Sequence, residues 1–219
     1  SLTAGGLKGA DEFVNAYHED PNTDFHTMVS DMAKIDRKKA KTINLGLFYG
    51  MGKGKLSSEL GLSPGQAEDL FEKYHSRVPF VKEMIERTMK KASDVGHVRT
   101  LLGRKCRFDM WEPSRYGVHK PLPRDQAERE HGKQIRRAFT YKALNKIIQG
   151  SAADMTKQAM VNLYDEGIIP HIQVHDELDC SFADEKEKDK IMDIMRACVE
   201  LEVPVKLDCE VGPSWGEAK

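Results

Sequence analysis

Apolar residues recur every three or four positions through most of the first hundred residues, and this period predicts a series of amphipathic helices. Thr23 or Asp24 is suited to cap a helix that ends near Ala33. The next helix is predicted to run from Arg37 to its end at Gly50. Further helices are predicted over 55–60, 64–76 and 79–94. Ser63-Pro64 and Val78-Pro79 mark the starts of the last two.

The pattern changes after these helices. The run 97–102 is typical of a strand, whereas residues 103–130 contain three prolines and no period, which predicts a long mobile loop. Residues 131–167 are predicted to be helical, with a break near Ala143 and an end at Gly167.

Two short β-like runs, 168–174 and 178–182, flank the charged sequence His175-Asp176-Glu177 and predict a hairpin with that sequence at its tip. Asp184 is suited to cap a helix that ends near Glu200, and a last strand is predicted over 203–211. Helices come first and a small sheet follows, so the predicted fold class is α+β.

Composition excludes several classes of protein. Of the 219 residues, 32% are charged and 39% are hydrophobic, which is typical of a globular protein. No apolar run approaches the roughly 18 residues of a membrane span, and the first residues do not resemble a secretory signal. The four cysteines form no Cys-x-x-Cys motif, so we expect reduced thiols in a cytosolic compartment.

Charge is distributed unevenly although the net charge is −1. Residues 31–55 hold seven Lys or Arg against two Asp or Glu, and residues 120–146 hold eight against three. Residues 160–219 hold six basic against fifteen acidic residues. A basic middle indicates a face that binds an anion, and the alternative is a set of ordinary solvated helix faces.

The helix predicted from Arg37 carries the first candidate site. Arg37, Lys41, Leu45 and Tyr49 are four residues apart and therefore form one slanted stripe. Two cations, an apolar side chain and a ring match the phosphates, sugar and base of a nucleotide. The alternative is a basic surface helix whose Leu45 and Tyr49 belong to the core.

Three weaker candidates have equally ordinary alternatives. The carboxylates at the predicted hairpin tip suit Mg²⁺, but polar hairpin tips are common. Asn145 and Gln149 lie one helical turn apart and are suited to contact base edges, but they are also ordinary helix polar residues. His26, close after Asp24, lies one helix away from the stripe, but it is also consistent with a surface histidine.

The order of these motifs carries more information than any one of them. Together they resemble the C-terminal part of a family A (DNA polymerase I-like) DNA polymerase of the phage type, over nearly the whole chain. The sequences that carry the resemblance are Asp24-x-His26-Thr27, Arg37-x3-Lys41-x7-Tyr49-Gly50, Thr100-Leu101-Leu102-Gly103-Arg104, Gln149-Gly150-Ser151-Ala152-Ala153-Asp154, Val174-His175-Asp176-Glu177 and Glu210-Val211-Gly212-x-x-Trp215.

The resemblance implies a domain organisation and a reaction. Residues 1–23 would lead from palm to fingers, 24–102 would form the fingers, 103–130 an irregular loop and 131–219 the palm. The reaction would be template-dependent nucleotidyl transfer to a primer 3′-hydroxyl by two-metal catalysis with Mg²⁺. Primer–template DNA and deoxynucleoside triphosphates would be the partners, and no membrane would be involved.

The resemblance also implies roles for individual residues. Arg37 and Lys41 would hold the triphosphate, His26 would lie near its leaving end, and Lys41 would also assist catalysis. Leu45 and Tyr49 would complete the nucleotide site. The remaining residues would bind the catalytic metal (Asp176 and Glu177) or the DNA (Gln149, His175, Asn145 and Arg104).

Leu45 departs from the family pattern, which most often has Phe or Tyr there. Leucine neither stacks nor carries a hydroxyl, so we expect weak incorporation of dideoxynucleotides. The segment 110–129 is also longer than usual in this family, and the sequence assigns no function to it.

The family uses a second catalytic aspartate, and its motif would sit just before a segment like Ser1–Ala10. We therefore expect the chain to be inactive alone and to need an N-terminal polymerase portion, as a separate chain or as a missing part of the same one. Ser1 is consistent with a fragment, a trimmed methionine or an intein junction. Alternative functions are a single-subunit RNA polymerase fragment and a non-catalytic DNA-binding module.

Overall fold

The fold was analysed in a computed structural model, which describes residues 7, 9–33, 35–48, 51–115 and 117–218. Within these ranges the chain forms helices and short antiparallel strands, as an α+β fold requires. No helix in the described ranges combines the length and the apolar character needed to cross a membrane.

The elements follow one another in an order that is helical first and mixed later. The helices are α1 (Ala10–Glu19), α2 (Phe25–Ala33), α3 (Arg37–Phe48), α4 (Lys53–Leu60), α5 (Pro64–Arg77), α6 (Pro79–Val95), α7 (Arg124–His131), α8 (Ala143–Asp165) and α9 (Glu185–Arg196). The strands are β1 (His97–Arg99), β2 (Lys105–Arg107), β3 (Met110–Pro113), β4 (Leu122–Pro123), β5 (Ile135–Arg137), β6 (Ile172–Val174) and β7 (Glu177–Asp179).

The chain divides into two compact units. The first comprises Ser1–Phe13 and Asp24–Ile148, and the second comprises Val14–Thr23 and Gln149–Lys219. Each unit has its own apolar core. Tyr74, Ile43 and Leu56 are among the fully buried side chains of the first unit, and Leu163, Ile168 and Ile191 form the core of the second.

The predicted starts of α2, α5 and α6 are confirmed, because a capping residue or a proline nearby determines each of them. Asp24 accepts hydrogen bonds from the His26 backbone N–H at 2.9 Å and from the Thr27 hydroxyl at 2.9 Å, at the start of α2. Ser63 and Gln66 form a reciprocal capping box at α5, and prolines occupy the first positions of α5 and α6. The predicted end of α3 at Gly50 lies outside the described residues.

The prediction of a mobile loop over 103–130 is wrong. Here β3 pairs with β4 and β5 in a three-stranded antiparallel sheet, and α7 packs against it. Buried Glu112 accepts hydrogen bonds from Arg136 at 3.0 Å and pairs with His119 at 3.3 Å. The prolines lie at strand ends or on the outer strand β4, where a missing N–H costs no ladder bond.

Two further predictions are also wrong. Residues 132–139 are not helical, because Gly132 ends α7 with φ 65° and ψ −148°, a conformation available essentially to glycine alone, and β5 follows. Residues 203–211 form no strand, and no described segment pairs with them. Without a partner, an extended run makes no ladder of hydrogen bonds.

Three strands (β1, β6 and β7) and one helix (α9) are shorter than predicted. β1 ends at Arg99 because Thr100 and Gly103 close a turn, with the Gly103 N–H donating to the Thr100 carbonyl at 3.0 Å. In the second unit the predicted hairpin is confirmed as β6 and β7. Asp184 caps α9 by accepting from the Glu187 N–H at 2.9 Å, but this helix ends at Arg196.

Candidate functional site

The three described residues of the stripe on α3 face solvent. Arg37 and Lys41 are exposed, and Leu45 is 39% exposed, whereas Ala40 and Ile43 on the adjacent face are buried. The alternative that Leu45 belongs to the core is therefore wrong. Tyr49 lies outside the described residues. Lys41 forms no ion pair with any described residue, so its ammonium is available to an anion.

Asp24 holds Arg37 at the start of the stripe. The Arg37 guanidinium donates from Nε to Asp24 Oδ2 at 2.6 Å, and the two residues are thirteen positions apart. The hydrogen bond from Arg37 is the main reason why the pKa of Asp24 is lowered to about 2, with the Thr27 hydroxyl and the His26 N–H acting in the same direction against burial. Asp24 thus both caps α2 and orients a cation on α3.

His26 lies in the first turn of α2, and its side chain contacts α3. Its Nδ1 is 2.9 Å from the side-chain nitrogen of Asn44, which is fully buried. Burial lowers the pKa of His26, Arg37 and Lys41 lower it further, and Asp24 opposes them. The shift favours the neutral imidazole.

The charged hairpin of the second unit has a tight turn. Val174 pairs with Glu177, so His175 and Asp176 are the two turn residues. His175 has φ 53°, in the left-handed region that histidine adopts more readily than most residues. The Gln173 side chain donates to the His175 carbonyl at 2.7 Å and fixes the turn.

The two carboxylates of this hairpin differ in their surroundings. Asp176 is exposed and has no hydrogen-bond or ion-pair partner in the described ranges. Glu177 accepts a hydrogen bond from the Trp215 indole N–H at 3.1 Å, which ties the C-terminal turn to the hairpin. Among the described residues, no group of three or more His, Cys, Asp or Glu side chains is arranged to hold a metal ion.

The remaining predicted residues occupy accessible positions. Asn145 is partly buried and Gln149 is exposed, one turn apart on α8. Arg104 is exposed in the turn between β1 and β2, and its backbone N–H donates to the Thr100 hydroxyl at 3.1 Å. These three positions are consistent with contact to a ligand.

The structure groups the predicted residues in two places. His26, Arg37, Lys41 and Leu45 come together on α2 and α3 of the first unit, and His175, Asp176 and Glu177 come together in the second unit. Sequence reasoning missed Asn44 and the contact of Trp215 with Glu177. A polar residue on the buried face of an amphipathic helix is the signal that would have identified Asn44.

Comparison with known proteins gives consistent matches. The sequence model of DNA polymerase family A matches residues 7–217. The chain is 38% identical to a DNA-directed DNA polymerase of Pseudomonas phage M6, over 94% of this chain and 33% of that protein. It is 34% identical to the thermostable DNA polymerase I of Thermus filiformis, over 97% of this chain and 25% of that protein.

A solved structure is also similar. The polymerase domain of Pol1 from M. smegmatis, in complex with DNA primer–template and dNTP, superposes with a TM-score of 0.68 and 27% identity. The match covers 88% of this chain and 34% of that one. The chain therefore spans about a quarter to a third of the length of these relatives.

Proposed function

Because this chain belongs to DNA polymerase family A, we propose that it contributes the nucleotide-binding helix and part of the catalytic centre of a template-directed DNA polymerase. The observation that carries the proposal is the exposed stripe of Arg37, Lys41 and Leu45 beside His26. In this proposal 24–102 form the fingers and 131–219 most of the palm. The segment 103–130 is a folded part of the connection between them.

The first unit binds the incoming deoxynucleoside triphosphate. Arg37 and Lys41 neutralise the triphosphate, since guanidinium and ammonium groups bind phosphate oxygens through charge-assisted hydrogen bonds. Leu45 contacts the sugar, and Tyr49 completes the site next to the templating base. Arg37 exchanges its bond to Asp24 for a phosphate, so that the ion pair keeps the guanidinium near the site before the nucleotide arrives.

Lys41 and His26 act at the leaving end of the triphosphate. Lys41, without an ion-pair partner in the described part of the chain, stabilises or protonates the pyrophosphate as it departs. His26 donates a hydrogen bond from its ring to the same phosphates. Both groups stabilise charge that develops during transfer, so we expect their loss to reduce turnover more than DNA binding.

The second unit carries one share of the metal site. Asp176 has free oxygen donors and Glu177 keeps one oxygen outside its bond to Trp215, and carboxylate oxygens are the ligands that Mg²⁺ prefers. When bound, Mg²⁺ activates the primer 3′-hydroxyl and balances charge on the phosphate under attack. Glu177 supports the site, and a second aspartate comes from an N-terminal polymerase portion. His175, Gln149, Asn145 and Arg104 contact the primer–template.

A charge-matched pair of variants tests the nucleotide site. The experiment uses the completed polymerase, defined as this chain together with an N-terminal portion that carries the second aspartate. Lys41→Ala should lower kcat by about 100-fold or more, with little change in the dissociation constant for primer–template. Lys38→Ala removes an exposed lysine of the same helix outside the stripe and should leave kcat near the wild-type value. Equal losses of kcat and DNA affinity in Lys41→Ala would contradict the assignment.

Asp176→Asn distinguishes a polymerase from a non-catalytic DNA-binding module. In the completed polymerase this variant should abolish primer extension and retain DNA binding, since it removes a metal ligand but preserves shape. Extension at the wild-type rate would favour the module. Extension with ribonucleotides in preference to deoxynucleotides would instead favour an RNA polymerase. The relatives are bacterial and phage proteins, which supports a reaction in the cytoplasm of a bacterium or an infected host.

A further inference from the structure

Asn44 occupies a position where packing favours an apolar side chain. It lies on the buried face of α3 beside Ala40 and Ile43, and none of the three is more than 1% exposed. Asparagine is a poor helix former, and a buried amide costs free energy unless both of its ends are hydrogen-bonded. Here the Oδ1 atom has no partner in the described part of the chain. The fold alone therefore gives no reason for this residue.

The nitrogen end of the Asn44 amide gives a reason for this residue. Asn44 Nδ2 is 2.9 Å from Nδ1 of His26, on the neighbouring helix α2. A side-chain NH₂ group only donates, so Nδ1 of the imidazole accepts this bond. A neutral imidazole carries one ring proton, and with Nδ1 as the acceptor that proton lies on Nε2.

Burial lowers the pKa of His26 and so favours the neutral ring. Asp24 at the start of α2 opposes this effect, and Arg37 and Lys41, on the stripe of α3, add to it. A neutral ring has to be in the correct tautomer in order to donate from its outer nitrogen. The partner at Nδ1 then decides whether His26 is a donor or an acceptor toward phosphate.

We propose that Asn44 is a positioning residue that holds His26 in the Nε2–H tautomer, so that the imidazole donates to the phosphates at the leaving end of the nucleotide. The inference rests on the role of His26 in the proposed function. Asn44 touches no substrate and acts only through His26. This role accounts for the presence of a buried amide that costs free energy in the fold.

The tautomer is measured directly on the 219-residue chain. Ring ¹⁵N chemical shifts distinguish the two tautomers, and His26→Gln identifies the His26 signals among those of the eight histidines. The wild-type chain should show a protonated Nε2 and an unprotonated Nδ1. Asn44→Leu, which keeps the volume and removes the donor, should give a mixture of tautomers. A wild-type ring protonated at Nδ1 overturns the proposal, even where the variant fails to fold.

A second measurement connects the tautomer to the reaction. In the completed polymerase, Asn44→Leu should lower kcat/KM for the nucleotide about three- to tenfold, the worth of one hydrogen bond, mainly through kcat, with KM for primer–template unchanged. Thr42→Val is the matched control, because it removes a local bond from the Thr42 hydroxyl to the Lys38 carbonyl on the same helix.

The experiments distinguish a wrong role for His26 from a wrong role for Asn44. If His26→Gln leaves KM and kcat unchanged, the proposed role of His26 is wrong, whatever the tautomer. If His26→Gln impairs the reaction and Asn44→Leu does not, the role of Asn44 is wrong and that of His26 stands. Equal effects of Asn44→Leu and Thr42→Val would also overturn the proposal, since a merely structural role predicts them.

Discussion

The guanidinium of Arg137 fills the space that a side chain at Gly96 would occupy. A Cβ on Gly96 would lie 2.6 Å from Arg137 Cζ, and Gly96 has φ 74°. Arg137 donates to the Ser93 carbonyl at 3.1 Å and to the Phe108 carbonyl at 3.0 Å. The contact attaches the sheet of β3, β4 and β5 to the end of α6, where carbonyl groups lack helical partners.

Gly96→Ala should therefore destabilise the chain through two separable effects. The methyl group forces φ strain and displaces a guanidinium that makes two hydrogen bonds. Gly61 has φ 63° and open space around the position of a new methyl group, so Gly61→Ala introduces the backbone strain without displacing any side chain. We expect Gly96→Ala to lower the free energy of unfolding in urea by about 1–2 kcal/mol more than Gly61→Ala does.

A double-mutant cycle checks why Gly96→Ala should lower the free energy of unfolding more than Gly61→Ala does. In a chain that already carries Arg137→Ala, the excess cost of Gly96→Ala should vanish, because no guanidinium remains to be displaced. An unchanged excess in this background would show that Arg137 is not responsible.

Removal of the Tyr74 hydroxyl should stabilise the first unit. Tyr74 is 2% exposed, and its hydroxyl has no hydrogen-bond partner in the described part of the chain. Burial of this group raises the pKa of Tyr74 well above its usual value. Tyr74→Phe should raise the free energy of unfolding by about 1 kcal/mol, measured by denaturant titration. Tyr164→Phe alters an exposed hydroxyl and should have no effect, and a loss of stability in Tyr74→Phe would contradict the argument.

The pair of Asp24 and Arg37 should make stability depend on pH in the acid range. The pKa of Asp24 is lowered from 3.8 to about 2, so its contribution is present above pH 3.8 and is lost as the pH falls through about 2. The difference in unfolding free energy between wild type and Asp24→Asn should shrink over that interval. Asp11→Asn, at an exposed position of α1, is the control, and a difference independent of pH would argue against the pair.

Leu45 should make the polymerase discriminate against dideoxynucleotides. Its exposed side chain has no hydroxyl to replace the missing 3′-hydroxyl of such a nucleotide. Leu45→Tyr in the completed polymerase should increase the relative use of dideoxynucleotides by about tenfold or more, whereas Leu45→Phe should not. The measurement is the ratio of kcat/KM for the two nucleotides. Near-equal use of both by the wild type would refute the expectation.

Elements with local determinants could be predicted from sequence. Asp24, Ser63 and Asp184 cap helices within a few residues of themselves, and the turn of the hairpin contains two residues. The alignment of Arg37, Lys41 and Leu45 on α3 also followed from periodicity, because residues four positions apart share a helix face, whereas the exposure of Leu45 did not.

Elements that depend on distant partners could not be predicted. β3 pairs with β5, which begins more than twenty residues later. The centre of the Trp111 ring lies 4.6 Å from the guanidinium carbon of Arg137. Neither contact leaves a local pattern in the sequence. The bond of Asn44 to His26 was missed for the same reason, since it joins two helices across eighteen positions.

The chain contains two tryptophans, and each belongs to a different unit. Trp111 lies against the guanidinium groups of Arg124 and Arg137, so its emission follows the packing of the three-stranded sheet. Trp215 donates to Glu177, a proposed ligand of the catalytic metal. Replacing Trp111 with phenylalanine would leave a single tryptophan, hydrogen-bonded to that carboxylate, and its emission would then report ion binding without any added label.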